Sequence, residues 1–136
     1  MALLQVNTYS VALSRIITFH IILPNDTQPE ILADNPYYKR QVKTLYLLHG
    51  FSGSTQDWLT GSLIQDIAVR YNLAVVMPAG ENSFYLNGKG TGRRYETFTA
   101  EELTDYCQKT FGLSADPEDN FIGVYPWVVL ERFIRL

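Results

Sequence analysis

Cysteine is almost missing from this 136-residue chain, which carries one, Cys107. A single thiol excludes an intrachain disulfide framework and leaves no cysteine cluster for a metal. With no histidine near it in sequence, Cys107 reads as a small buried hydrophobe rather than a nucleophile. Long runs of one charge are also missing: 11 basic side chains stand against 14 acidic ones, for a net charge of −3. The pairs Lys39-Arg40 and Arg93-Arg94 are too short to track a phosphate backbone and read as solvated loop charge, so no nucleic-acid partner is expected. No apolar stretch approaches the ~20 residues of a membrane helix. The first residues lack the basic segment and apolar stretch of a signal peptide. A cytoplasmic protein with no membrane partner is the expectation. What the chain does have is 46% hydrophobic residues in a length suited to one domain with a real core.

The patterns along the chain change once. Residues 3–10 partly alternate between apolar and polar, and 14–23 are rich in β-branched and aromatic types, which predicts an antiparallel hairpin. Residues 25–42 are polar, contain Pro29 and Pro36, and read as a long connection. Beyond it lie short apolar runs at 44–49 and 73–78, the mark of strands buried on both faces. Between them Leu63, Ile64, Ile67, Ala68 and Tyr71 recur at helical spacing through Asn72. Residues 79–95 form a loop rich in glycine and asparagine. Thr99-Ala-Glu-Glu102 offers a capping box for a helix running to Thr110, with Gly112 as its stop. Residues 119–124 give a third short strand. Strands alternating with helices behind a hairpin predict an α/β chain with a mostly parallel, covered sheet.

The chemistry is concentrated in His49-Gly50-Phe51-Ser52-Gly53, directly after a buried strand. Glycines there let the backbone turn so that a main-chain N–H can face a cavity at the carboxyl end of the sheet. In α/β-hydrolases such a loop supplies one of two N–H groups that hold the oxyanion of a tetrahedral intermediate. A plain glycine turn would look the same, and the pentapeptide alone leaves both readings open.

The segment Leu45–Gly53, then Asp57-Trp58, then Val75-Val-Met-Pro-Ala-Gly-Glu-Asn-Ser-Phe-Tyr85, resembles the bacterial tributyrin-esterase group. That group lies within the esterase D, or S-formylglutathione-hydrolase-like, family of α/β-hydrolases. Residues 93–102 and 119–123 continue the likeness, which spans most of 3–123. The resemblance implies an α/β-hydrolase fold, here incomplete: the N-terminal hairpin and the first parallel strands and helices. It implies hydrolysis of short acyl esters by a Ser-Asp-His triad, with a small-molecule ester as partner and no metal or organic cofactor. It makes the backbone N–H of Phe51 the oxyanion donor, with Gly50, Ser52 and Gly53 shaping the loop. His49 would orient that loop instead of acting as the base. Trp58, Phe84 and Tyr85 would line the substrate pocket. An oligomeric state is not implied.

The departure from the family comes after Gly123. Where the family continues Gly-Leu-Ser-Met-Gly-Gly, this chain reads Val124-Tyr-Pro-Trp-Val-Val-Leu130 and on to Leu136. No G-x-S-x-G occurs in these residues, and the acid and histidine should follow the serine in chain order. No catalytic triad residue is therefore assigned. His20 precedes the expected serine and sits in a strand pattern, so triad order opposes it. The chain divides into 1–123, the N-terminal portion of an esterase domain, and 124–136, a tail unlike the family. One coding explains the tail. Trp127 has the single codon TGG, so CCA for Pro126 places ATG in the neighbouring frame. Restoring one G at Gly123 lets an allowed coding of 123–130 read Gly-Gly-Leu-Ser-Met-Gly-Gly-Phe. A frameshift near Gly123 and an inactive, truncated product are the expectation. The alternative is a non-catalytic ligand-binding or interaction protein that reuses half of a hydrolase. Nucleotide binding through Gly88-Lys-Gly-Thr-Gly92 is set aside, because its spacing and context are not those of the dinucleotide fingerprint.

Overall fold

The computed structural model describes residues 1–50, 53–80, 87–88 and 94–124. Strands β1 (Ala2–Ser10) and β2 (Arg15–Leu23) form the expected hairpin, registered from Ala2 against Leu23 to Ser10 against Arg15. Its turn is closed by the Ser10 hydroxyl, which accepts the Leu13 N–H at 3.0 Å. The polar connection that follows is more ordered than its composition suggests. It holds a helical turn, α1 (Pro29–Leu32), and a 3-10 turn, Pro36–Lys39. Both prolines sit at a helix start, where the missing N–H has no intrahelical partner to lose.

Next come β3 (Lys43–Leu48), the short helix α2 (Asp57–Gly61), α3 (Ile64–Tyr71) and β4 (Leu73–Met77). Helix α3 ends where expected. Asn72 takes the left-handed conformation (φ 53°), and its amide donates to the Tyr37 and Arg40 carbonyls at 3.1 and 3.2 Å. Arg40 is not merely a solvated loop charge, since its guanidinium donates to the Tyr71 carbonyl at 2.7 Å. A cation on the last carbonyls of a helix satisfies acceptors that have no intrahelical donor.

The second helical segment differs from expectation. It begins at Tyr95 and runs as α4 (Tyr95–Thr97), a π-helical turn (Phe98–Glu102) and α5 (Leu103–Phe111), with Gly112 at φ 66° as the C-terminal stop. Thr99 lies inside this run, so it cannot be an N-cap. Its hydroxyl is buried and has no hydrogen-bond partner among the described residues. Glu102, the other half of the supposed capping box, instead binds the hairpin turn: its carboxylate accepts the N–H groups of Val11 and Ala12 at 3.1 and 3.0 Å. A 3-10 turn, Pro117–Asp119, leads into β5 (Asn120–Val124).

The five strands make one sheet in the order β1-β2-β4-β3-β5, antiparallel at β1-β2 and β2-β4 and parallel at β4-β3 and β3-β5. Alternation along each strand sends side chains to two cores. On one face Phe19, Ile21, Tyr46, Ala74 and Val76 meet Phe98, Leu103, Cys107 and Leu113. On the other, Ile22, Leu47, Val75 and Met77 meet Ile64 and Ala68 of α3. Phe19, Ile21, Ile22, Val75 and Val76 have no contact with water. Each such side chain contributes roughly 1.5–3 kcal/mol over leaving it exposed. Burial on both faces is what the continuous apolar runs at 44–49 and 73–78 announce.

Candidate active site

The parallel strands β3 and β4 end side by side, at Leu48 and Met77, and open on the same edge of the sheet. Strand β2 runs the other way, with His20 opposite Met77, so Arg15–Phe19 reach past that edge and form a wall beside it. Loops at the carboxyl ends of parallel strands are where α/β sheets place their ligand sites.

His49 joins the two loops there. It is 1% exposed; its Nε2 accepts the Gly80 N–H at 2.8 Å, and its Nδ1 lies 2.7 Å from the Gly50 carbonyl oxygen. A carbonyl can only accept and a backbone amide can only donate, which fixes the ring as the neutral tautomer with its proton on Nδ1. Both nitrogens are thereby engaged. His49 is a brace between the β3 and β4 loops and has no lone pair left for a substrate proton. The Gly50 carbonyl also accepts the Gly53 N–H at 3.0 Å, which holds the two glycines together.

Gly53 is required by close approach. A Cβ at this position would lie 2.2 Å from Asp57 Oδ2, 2.9 Å from the Gly50 oxygen and 3.0 Å from His49 Nδ1. Asp57, at the start of α2, accepts the Ser54 hydroxyl at 3.2 Å. Trp58 packs into the α3-side core, and its indole N–H donates to the Leu48 carbonyl at 3.1 Å, holding the end of β3. Of the residues expected at the site, His49, Gly50 and Gly53 converge on one turn and Trp58 braces the strand beneath it. Phe51, Ser52, Phe84 and Tyr85 lie outside the described residues, as do Lys89–Gly92 of the glycine-rich segment and Tyr125–Leu136 of the tail.

A cavity of about 340 Å³ opens beside the turn, lined by His49, Gly53, Ser54 and Thr55 on one side and by Arg15–Thr18, Ala79 and Phe98 on the other. Trp58 is not part of its lining. The volume is at the small end of ligand pockets, which run to roughly 300–1,000 Å³. His20, on β2, meets the Thr55 hydroxyl through Nδ1 at 2.8 Å and is 7% exposed; burial lowers its pKa. It ties β2 to the loop after β3, a structural position consistent with its place in a strand. The described residues hold no group of histidine, cysteine and carboxylate side chains able to bind a metal. None of their helices is long and apolar enough to cross a membrane.

Sequence reasoning missed the overhanging wall. Ile17 and Phe98 carry no chemical signature, since in sequence they look like any core residue, and only the antiparallel register of β2 brings them to the cavity. Gly80 had a signal, because it lies within the family-like run 75–85, but nothing marked its N–H as the partner of His49.

Comparison with known proteins agrees with this fold. Residues 10–123 match the family described as "Putative esterase". An acetyl esterase of Caldicellulosiruptor saccharolyticus is 38% identical over 123 residues, covering 90% of this chain and 46% of that protein. Among solved structures, the fluorophosphonate-binding serine hydrolase F of Staphylococcus aureus superposes with a TM-score of 0.73 at 29% identity, and 90% of this chain covers 46% of it. The S-formylglutathione hydrolase of the same organism gives 0.71 at 29% identity with the same coverage. The chain thus spans about half the length of the relatives it matches.

Proposed function

The chain belongs to the esterase family, with an α/β-hydrolase fold, and from that premise we propose that it forms the oxyanion-loop half of a serine carboxylesterase for small acyl esters of the tributyrin-esterase type. The observation that carries this reading is the double engagement of His49, which holds the turn after β3 against Gly80 of the turn after β4. The family resemblance gives the residue after Gly50 as the oxyanion donor, and a preorganised donor of that kind acts on charge that develops only in the transition state. The acetyl esterase and S-formylglutathione hydrolase among the relatives support an ester or thioester of a small acid as substrate.

The complete reaction needs a serine hydroxyl, a histidine to take its proton, a carboxylate to hold that histidine, and a second N–H following the serine. Residues 1–136 contain no G-x-S-x-G elbow to supply the first and last of these. Triad members act as a unit, so one oxyanion donor alone contributes little. The 136 residues by themselves are inactive on this reading, and 124–136 is a frameshifted tail. The end of the family match at residue 123 supports that boundary.

Two tests follow. The purified chain should hydrolyse nitrophenyl acetate and butyrate no faster than a heat-killed sample, and turnover well above that control would contradict the reading. The gene should encode an esterase-like continuation in a neighbouring frame after codon 123; no such continuation in any frame would remove the frameshift. Saturable binding of a carboxylic acid without turnover would favour the non-catalytic binding protein for these residues as they stand.

A further inference from the structure

The two edges of the sheet differ in kind. Strand β5 is paired with β3 from Asn120 against Thr44 to Val124 against Leu48, and no described strand lies on its far side. Every residue of β4 after the first is buried, and none of β5 is. Phe121, on the face that carries Leu45 and Leu47, is 48% exposed. On the opposite face Ile122 and Val124 pack beside the buried Leu48 and remain partly open. Apolar side chains on both faces mark a parallel strand that is covered on both sides. Strand β1, at the other edge, instead alternates half-buried with exposed positions and turns Gln5 and Asn7 to water, as a one-sided antiparallel strand does.

From these features we propose that the open edge of β5 docks a second polypeptide, the C-terminal half of an esterase of this family, and that the two chains together complete one sheet and one ester site. The ester site rests on the reading above, and the docking edge rests on β5 itself. The family match stops at residue 123, one residue before the end of β5, and the chain covers 46% of the acetyl esterase it is similar to. The part of that relative outside the match is a half-domain, and the match stops at this edge. A second copy of this chain is a poorer occupant. Five residues present roughly 17 Å of strand, and pairing along so short an edge falls short of the ~1,200 Å² of a standard interface. A half-domain can add a strand to the edge and cover both apolar faces beside it. An open edge of this kind is a template for another strand, which binds through main-chain hydrogen bonds and is selected by the side chains on its alternate faces.

The test co-expresses the full 136-residue chain, tagged, with the part of the Caldicellulosiruptor acetyl esterase that follows the matched region. The expected product is a one-to-one complex by light scattering that hydrolyses nitrophenyl acetate, which neither chain does alone. Phe121→Asp changes a side chain that is already half exposed, so it spares the fold of this chain. It should lower the yield of co-purified half by about tenfold, because a covered apolar face does not accept an unpaired charge. Tyr9, at the opposite edge, is 62% exposed, and Tyr9→Asp should leave that yield unchanged. A one-to-one complex without hydrolysis supports the docking edge and contradicts the ester site. Recovery of the chain alone, or as pairs of itself, overturns the docking edge. So does a Phe121→Asp chain that captures the half as well as the unmodified one, or an equal loss in both variants.

Discussion

Gly53 and His49 set the shape of the loop between them, and their demands differ in kind. Gly53 is constrained by space: the Asp57 carboxylate can swing aside, but the Gly50 carbonyl is backbone in the same turn and cannot. Gly53→Ala is therefore expected to destabilise the fold by about 1–3 kcal/mol, the usual cost of overpacking. Pairing it with Asp57→Ala should restore only part of the loss, because the backbone clash remains; urea denaturation of both variants would measure this. Full rescue would show the side chain alone to be the obstacle. His49 is constrained by hydrogen bonding, to the Gly50 carbonyl and the Gly80 N–H. Cys107 was legible from its isolation alone. Burial pushes its thiol up from 9.0 to about 12, in the same core where burial also raises the Tyr46 phenol. Between those two values the unfolded chain has lost the thiol proton and the folded protein keeps it. The thiol leaves stability unchanged below pH 9 and lowers it as pH rises from there toward 12. Urea midpoints at pH 8 and 10 should show that fall, and Cys107→Ala should make it shallower; an equal slope in the variant would contradict the assignment.

At the scale of elements, the sequence was readable wherever periodicity and burial agree. The hairpin, β3, α3 and β4 fall where alternation, helical spacing or apolar runs placed them, because each buries the face its pattern marks; β5 also falls where expected, although none of its residues is fully buried. The Thr99–Glu102 motif failed for a physical reason. A capping box is defined by local residues, yet Glu102 finds its partners about ninety positions earlier in the hairpin turn, and Tyr95 and Phe98 are buried firmly enough to start the helix a turn sooner. Tertiary contact overrode local preference. Removing that contact gives a direct prediction. Bonds to a charged group are worth roughly 1.5–3 kcal/mol, but Val11 is 76% exposed and water can replace its partner, whereas Ala12 is 6% exposed. Glu102→Ala should accordingly cost about 1–2 kcal/mol in total. Hydrogen exchange should quicken at Ala12 while that of β3 amides changes only with global stability. Unchanged protection at Ala12 would mean the carboxylate does not hold the turn.

Across the whole molecule, the described residues assemble five strands and the helices on both faces into the front of an α/β-hydrolase sheet, and they bring the β3 and β4 loops together at its open edge. The fold and family were legible because they depend on strand order, core periodicity and a loop of distinctive composition. The cavity wall was not, because it arises from how far an antiparallel strand overhangs its parallel neighbours, a length that no local pattern encodes. On the proposed reading these residues supply one side of an oxyanion site and contain no activated hydroxyl to create the charge. Intact-mass analysis of the homogeneous chain after incubation with a fluorophosphonate tests that claim most directly. The expected spectrum shows the unmodified mass alone. A stoichiometric adduct mapped to a serine within residues 1–136 would contradict it.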